Sequence, residues 1–169
     1  MRSTIFFKVF ELFSQIENTL KTAESLGIPN SEFSVLKILD TTLPYQSKQW
    51  FDMMGQQELD SNKLLGTGAS LGIFKSQEYG LILISGSLAS LFLYNVEGKA
   101  LGELSTGIYG VFRGLGITQE SLDLQLNVFK QDSYMLVART DENLLTKLES
   151  LLLDFDKNSF QNSNFKKAI

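Results

Sequence analysis

From Tyr79 to Val96 the chain runs eighteen residues without a charge. Such a run belongs in a membrane or inside a folded domain. A spanning helix needs about 20 strongly apolar residues to cross a hydrocarbon core of roughly 30 Å, and this run falls short of that. Gly80, Ser85, Gly86, Ser87, Ser90 and Asn95 dilute it further, and its flanks, Glu78 and Glu97, carry no Lys/Arg asymmetry. Burial within a domain follows. A strand over Leu81 to Ile84 is expected, broken at Gly86 and succeeded by a second buried element.

The flanking sequence supplies the rest of a sheet. Thr4 to Phe10 reads TIFFKVF, with Ile5, Phe7 and Val9 on one face, the pattern of a strand. The period then changes, because Phe13, Ile16, Leu20 and Ala23 recur at helical spacing, and Gly27 followed by Pro29 stops the helix. Phe33 to Leu39, FSVLKIL, is a second strand, so the first forty residues form a β-α-β unit. Near the end, Thr118 can cap a helix bearing Leu122, Leu126 and Phe129, and Tyr134 to Ala138, YMLVA, reads as a strand buried on both faces. A further helix carries Leu144, Leu145, Leu148, Leu151 and Leu152, with Thr140 as its cap. Leu26-Gly27-Ile28 recurs as Leu115-Gly116-Ile117, each closing a helical stretch.

One α+β domain over residues 1–153 accounts for this pattern, with residues 44–116 as a helical, glycine-rich insertion. Within the insertion, Tyr45 to Asn62 is polar with Trp50, Phe51, Met53 and Met54 embedded, a helix or a long connection. Residues 154–169, DFDKNSFQNSNFKKAI, form a polar tail, either an edge strand or disordered. The chain holds 43% hydrophobic residues and thirteen Phe, ample to fill one core. Met1 to Leu12 is interrupted by Lys8 and Glu11 and lacks the uncharged stretch of a signal peptide, so a cytoplasmic location is expected.

Composition removes much chemistry. With no Cys and no His, the chain has no thiolate nucleophile, no disulfide, and neither the commonest general base nor the commonest metal ligand. A formal charge of -4 without any Lys/Arg cluster argues against nucleic acid. Thr67 to Phe74, TGASLGIF, imitates a dinucleotide-binding turn, but no strand precedes it and no Tyr-x-x-x-Lys pair exists in the chain. Asp154, Asp156 and Asn158 begin a calcium loop, yet Ser159 stands where its glycine belongs and Phe165 where its bidentate glutamate belongs. Gly98-Lys99 is followed by Ala100, which spoils a phosphate loop. No catalytic, cofactor or metal residue is expected.

What stands out is spacing. Gly98, Gly102, Thr106, Gly110 and Gly114 fall four residues apart. If Lys99 to Leu115 is a helix, they line one small-residue edge, opposite a bulky edge of Leu101, Leu104, Ile108, Phe112 and Leu115. Glycine inside a helix costs about 1 kcal/mol relative to alanine, so something should press closely on that edge. The chain's own segment holding Gly66, Gly68 and Gly72, a second copy, or a membrane surface would do so. Trp50 with Met53 and Met54 marks a second contact surface or a covered core edge.

Leu26 to Ser31 (LGIPNS), FSVL, Ile84 to Ala89 (ISGSLA), Gly114 to Ile117 (GLGI) and Tyr134 to Val137 (YMLV), in that order, resemble a family of small bacterial proteins related to heat-induced general stress proteins. The likeness spans most of Phe6 to Leu152. It implies a ferredoxin-like α+β fold with a helical insertion and no enzymatic residues. The expected function is a non-enzymatic, stress-associated protein acting through self-association or protein contacts, as a homo-oligomer. A small-ligand-sensing module and a peripheral membrane protein are the alternatives.

Overall fold

The computed structural model describes residues 3–40 and 42–153. In chain order it contains β1 (Ser3–Phe10), α1 (Phe13–Ser25), β2 (Phe33–Ile38), α2 (Lys48–Leu65), β3 (Leu71–Ser76), β4 (Gly80–Gly86) and the short α3 (Ala89–Phe92). There follow β5 (Asn95–Val96), β6 (Lys99–Ala100), α4 (Gly107–Gly114), α5 (Gln119–Leu126), β7 (Tyr134–Asp141) and α6 over residues 142–153. The expected tail, 154–169, lies outside the described residues.

Five strands form one sheet in the order β1-β7-β2-β4-β3, each neighbour antiparallel to the next. Because β1 and β2 are both antiparallel to β7, they are parallel to each other, and β1-α1-β2 is a β-α-β unit split by the last strand. The fold is α+β, as the sequence patterns imply. The YMLVA strand is buried on both faces because it sits in the sheet interior: Met135 and Val137 enter one core, Leu136 and Ala138 the other. On the first face α3, α4 and α5 cover Leu36, Ile82 and Ile84; on the second, α1, α6 and the end of α2 cover Phe6, Phe33 and Val35.

Residues 44–116 are not a helical insertion, which corrects the sequence-based expectation. They contribute β3 and β4 to the main sheet, and β4 is hydrogen-bonded on both sides, to β2 and β3. The uncharged run from Tyr79 to Val96 therefore holds β4, α3 and β5. Its Ile82, Leu83, Ile84, Leu88, Ala89 and Phe92 are buried. Among the described residues no helix is long and apolar enough to cross a membrane.

A row of phenylalanines ties the first face together from edge to edge. Phe7 of β1 lies 4.9 Å from Phe112 of α4, Phe112 lies 5.4 Å from Phe92 of α3, and Phe92 stacks at 5.5 Å on Phe74 of β3. Each sheet edge also has one backbone N–H capped by a side chain. Val9 of β1 donates its N–H to Gln125 Oε1 at 2.8 Å, and Lys75 of β3 donates its N–H to Glu103 Oε1 at 3.0 Å. These caps occupy backbone donors through which edge strands otherwise recruit other chains.

The repeated Leu-Gly-Ile is one helix stop used twice. After α1, Ile28 donates to Ala23 O and Gly27 to Glu24 O; after α4, Ile117 donates to Phe112 O and Gly116 to Arg113 O. Gly27 (φ +85°) and Gly116 (φ +98°) adopt the left-handed conformation this stop requires, and the following Ile is buried in each case. Thr118 caps α5 as expected, accepting the Ser121 N–H. The cap of α6 is Asp141 rather than Thr140: the strand runs one residue further, and Asp141 Oδ1 accepts the Asn143 N–H at 2.9 Å.

Tyr79, in the turn between β3 and β4, packs its ring on Phe129 at 5.4 Å. Burial, reinforced by the neighbouring Glu78 carboxylate, pushes its phenol up to about 12 from the ordinary 10. The folded value exceeds the unfolded one, so the stability carried by neutral Tyr79 is complete below pH 10 and is lost as the pH climbs toward 12. Phenolate absorbance should show one of the five tyrosines ionising late, and Tyr79→Phe should remove that titration and flatten the alkaline loss of stability. A normal titration of all five would contradict this assignment.

Candidate functional site

Gly98, Gly102, Thr106, Gly110 and Gly114 do not share an edge, because Lys99 to Leu115 is not one helix. β6 is followed by a 3-10 turn, Leu101–Glu103, and α4 begins only at Gly107. Glu103 holds the break in place. Its carboxylate accepts the N–H of Lys75 at 3.0 Å and that of Ala100 at 3.3 Å, pinning the turn against the edge of β3 where a straight helix would have to leave it. Gly98 occupies the two-residue turn between β5 and β6, where Glu97 (φ +52°) and Gly98 (φ +87°) both have the positive φ of a tight hairpin. Thr106 is exposed, Gly110 sits one turn above it, and Gly114 faces open space. Gly66 and Gly68 lie in the loop after α2, and Gly72 is in β3 against Leu93. They form no facing helix.

Gly102 alone of the five is buried, and what presses on it is internal. A Cβ there would lie 2.6 Å from the ring of Phe74, the last member of the phenylalanine row. The close approach inferred from the glycines exists at Gly102, against Phe74, and at Gly110, where a Cβ would lie 2.5 Å from the Thr106 side chain one turn earlier; both are within the monomer.

The chemistry-bearing motifs are likewise dispersed. Thr67 to Ser70 leads from a helix into a strand, the reverse of the strand-to-helix order that places a phosphate on a helix N-terminus. Asp52 and Glu58 are both exposed on α2. Among the described residues no group of three or more His, Cys, Asp or Glu could hold a metal ion.

The surface without a structural explanation is α2. Ser47 caps it, its Oγ accepting the Trp50 N–H at 3.2 Å, and the helix runs eighteen residues. Only its last turns are anchored: Ser61, Leu64 and Leu65 are buried, and Lys63 bridges to Glu17 of α1 at 3.5 Å. From Lys48 to Asp60 no residue is buried, although the stretch holds Trp50, Phe51, Met53, Met54 and Leu59. Trp50, Met53, Met54 and Gln57 are half-buried on the side toward the sheet. Phe51, Gly55 and Leu59, four residues apart, look outward, with Phe51 57% and Leu59 64% exposed.

At the helix start three rings meet in the open. Tyr45, 73% exposed, lies 5.1 Å from Trp50, and Trp50 lies 5.2 Å from Phe51. Large rings on an accessible face are among the side chains that carry most binding energy at protein interfaces. Sequence reading singled out Trp50, Met53 and Met54. It missed Phe51, Gly55 and Leu59, whose four-residue spacing was the available signal.

No family model, curated protein or solved structure matches the chain.

Gly102→Ala should cost about 1–3 kcal/mol of monomer stability, and Gly102→Leu more, in urea or thermal unfolding, because the Phe74 ring is held by its stack on Phe92 and has no room to retreat. Unchanged stability in Gly102→Leu would show that the ring yields.

Proposed function

We infer that the protein acts through contact with a second copy of itself, made by the outward face of α2. The observation that carries this reading is the pair of exposed rings Tyr45 and Phe51, joined through the half-buried Trp50 and continued along the helix by Gly55 and Leu59. The stripe is large-small-large about Gly55. An antiparallel copy related by a two-fold axis at Gly55 therefore sets each Phe51 against the other's Leu59, and the missing side chains let the helices approach.

Magnitude sets the strength of such a pair. Covering the exposed parts of Phe51 and Leu59 is worth about 1–2 kcal/mol for each side chain, against about 4–15 kcal/mol lost on association. The rings of Tyr45 and Trp50 add to the favourable side. The balance favours a weak dimer, and it selects the concentrations at which to look.

The resemblance to stress proteins supplies the physiological setting of this proposal, a contact that matters when the protein accumulates. Membrane attachment through Tyr79 to Val96 is not proposed, because the large apolar side chains Ile82, Leu83, Ile84, Leu88 and Phe92 of that segment are buried in the core.

Sedimentation velocity from about 10 μM to about 1 mM should show a monomer giving way to a dimer. Phe51→Asp or Leu59→Asp should hold the protein monomeric throughout while melting close to the parent, since both side chains are exposed and substitutions at such positions typically shift stability by less than about 0.5 kcal/mol. A parent chain that stays monomeric across this range would overturn the proposal.

A further inference from the structure

At the end of the sheet where β2 and β3 begin and β4 finishes, the chain forms a hollow of about 320 Å³ that opens to solvent. Its walls are the 3-10 turn Asn30–Glu32, the loop from α2 to β3 and the residues that close β4. The volume lies at the lower end of the range of small-molecule sites. Among the described residues no charged side chain lines it. The lining is instead rich in hydroxyls, those of Ser31, Thr67, Ser70 and Ser87, over a floor of Phe33 and Leu65.

Those hydroxyls are not spent on the fold. Ser31, Thr67 and Ser70 are exposed, and their side chains make no hydrogen bond within the described residues. Ser87 is held by the buried Ser34, whose Oγ accepts the Leu88 N–H at 2.8 Å and lies 3.2 Å from Ser87 Oγ. That leaves the Ser34 hydrogen for Ser87, and the Ser87 hydrogen for the hollow. Beside Ser31, Asn30 Oδ1 is buried without a hydrogen-bond partner, an arrangement folded proteins rarely tolerate. Asn30 also lines the hollow, and the torsion that carries its amide is soft, so a modest rotation presents the oxygen to whatever lies there.

We propose that this hollow binds a small neutral polyol, a molecule of the size and chemistry of a free hexose. A hydroxyl both donates and accepts, so a wall of serines and threonine is matched by a ligand whose own groups do the same, while Asn30 Oδ1 takes a hydrogen from it. The C–H face of the ring rests over Phe33 and Leu65. A charged ligand would lose hydration on entry and meet no counter-charge in the lining. Neutral hydrogen bonds made here replace bonds to water, so the affinity is weak, with Kd about 0.1–10 mM. No residue of the outward face of α2 lines the hollow, and the site stands or falls independently of contact through that face.

Amide chemical shifts of the full chain, followed by NMR during titration with D-glucose, D-galactose and myo-inositol, test this directly, with D-glucuronate and cyclohexanol as the charged and the hydroxyl-poor counterparts. At least one of the three polyols should shift the amides of Ser31, Gly68 and Ser87 saturably, and neither counterpart should match it. Thr67→Val and Ser70→Ala should each weaken binding about three- to tenfold, and both should melt close to the parent because the two side chains are exposed. Asn30→Leu removes an unpartnered amide oxygen, so affinity should fall while the unliganded protein melts at the same or a higher temperature. No saturable shift with any of the three polyols up to about 50 mM would overturn the proposal. So would equal binding of D-glucuronate or cyclohexanol, or binding unchanged in both Thr67→Val and Ser70→Ala, which decide the matter should Asn30→Leu fail to fold.

Discussion

The fold depends on the insertion of β7 between β1 and β2. Two parallel strands joined by one helix cannot hydrogen-bond to each other across that gap, so the sheet has no continuous backbone ladder until the next-to-last element arrives. Once it does, Met135 and Val137 need cover on one side and Leu136 and Ala138 on the other. The helices follow from that demand. α3, α4 and α5 close the first face around the phenylalanine row, and α1 and α6 close the second around Phe6, Phe33 and Leu148.

This demand also explains why α2 stands apart. With both faces of β7 covered, the sheet has use for the C-terminal turns of α2, at Ser61, Leu64 and Leu65, and little use for the rest. Each edge strand also has one backbone donor taken by a side chain, Val9 by Gln125 and Lys75 by Glu103, which weakens association through strand pairing at those positions. The apolar material left in the open is concentrated on a helix rather than on a sheet edge. Contacts between helices can be weak and reversible, whereas strand addition tends to propagate.

Parts of this organisation were legible in the residues. Alternation in TIFFKVF, unbroken apolarity in YMLVA and the Leu-Gly-Ile stops each express a local rule, since one strand face, one doubly buried strand or one left-handed residue is specified within a few positions. What escaped was tertiary. Glycines four apart from Gly98 to Gly114 satisfy a helical pattern, but they serve a hairpin turn, a close approach to Phe74 and exposed helix positions. One contact that fixes this arrangement, from Glu103 to the Lys75 N–H, joins residues 28 apart in sequence. β3, with Gly72 as its second residue, carries too weak an alternation to declare itself. Lys37 lies in a strand whose interior place in the sheet, with β4 on one side and β7 on the other, only the sheet order shows.

If the outward face of α2 meets a second copy, that face must be shielded in proportion to protein concentration. Amide hydrogen exchange read by peptide across residues 48–60 at low and high concentration measures this at the proposed surface itself. Exchange in that stretch should slow as the protein is concentrated while the amides of β7 stay unchanged. Identical exchange from residues 48–60 at every concentration would contradict the account.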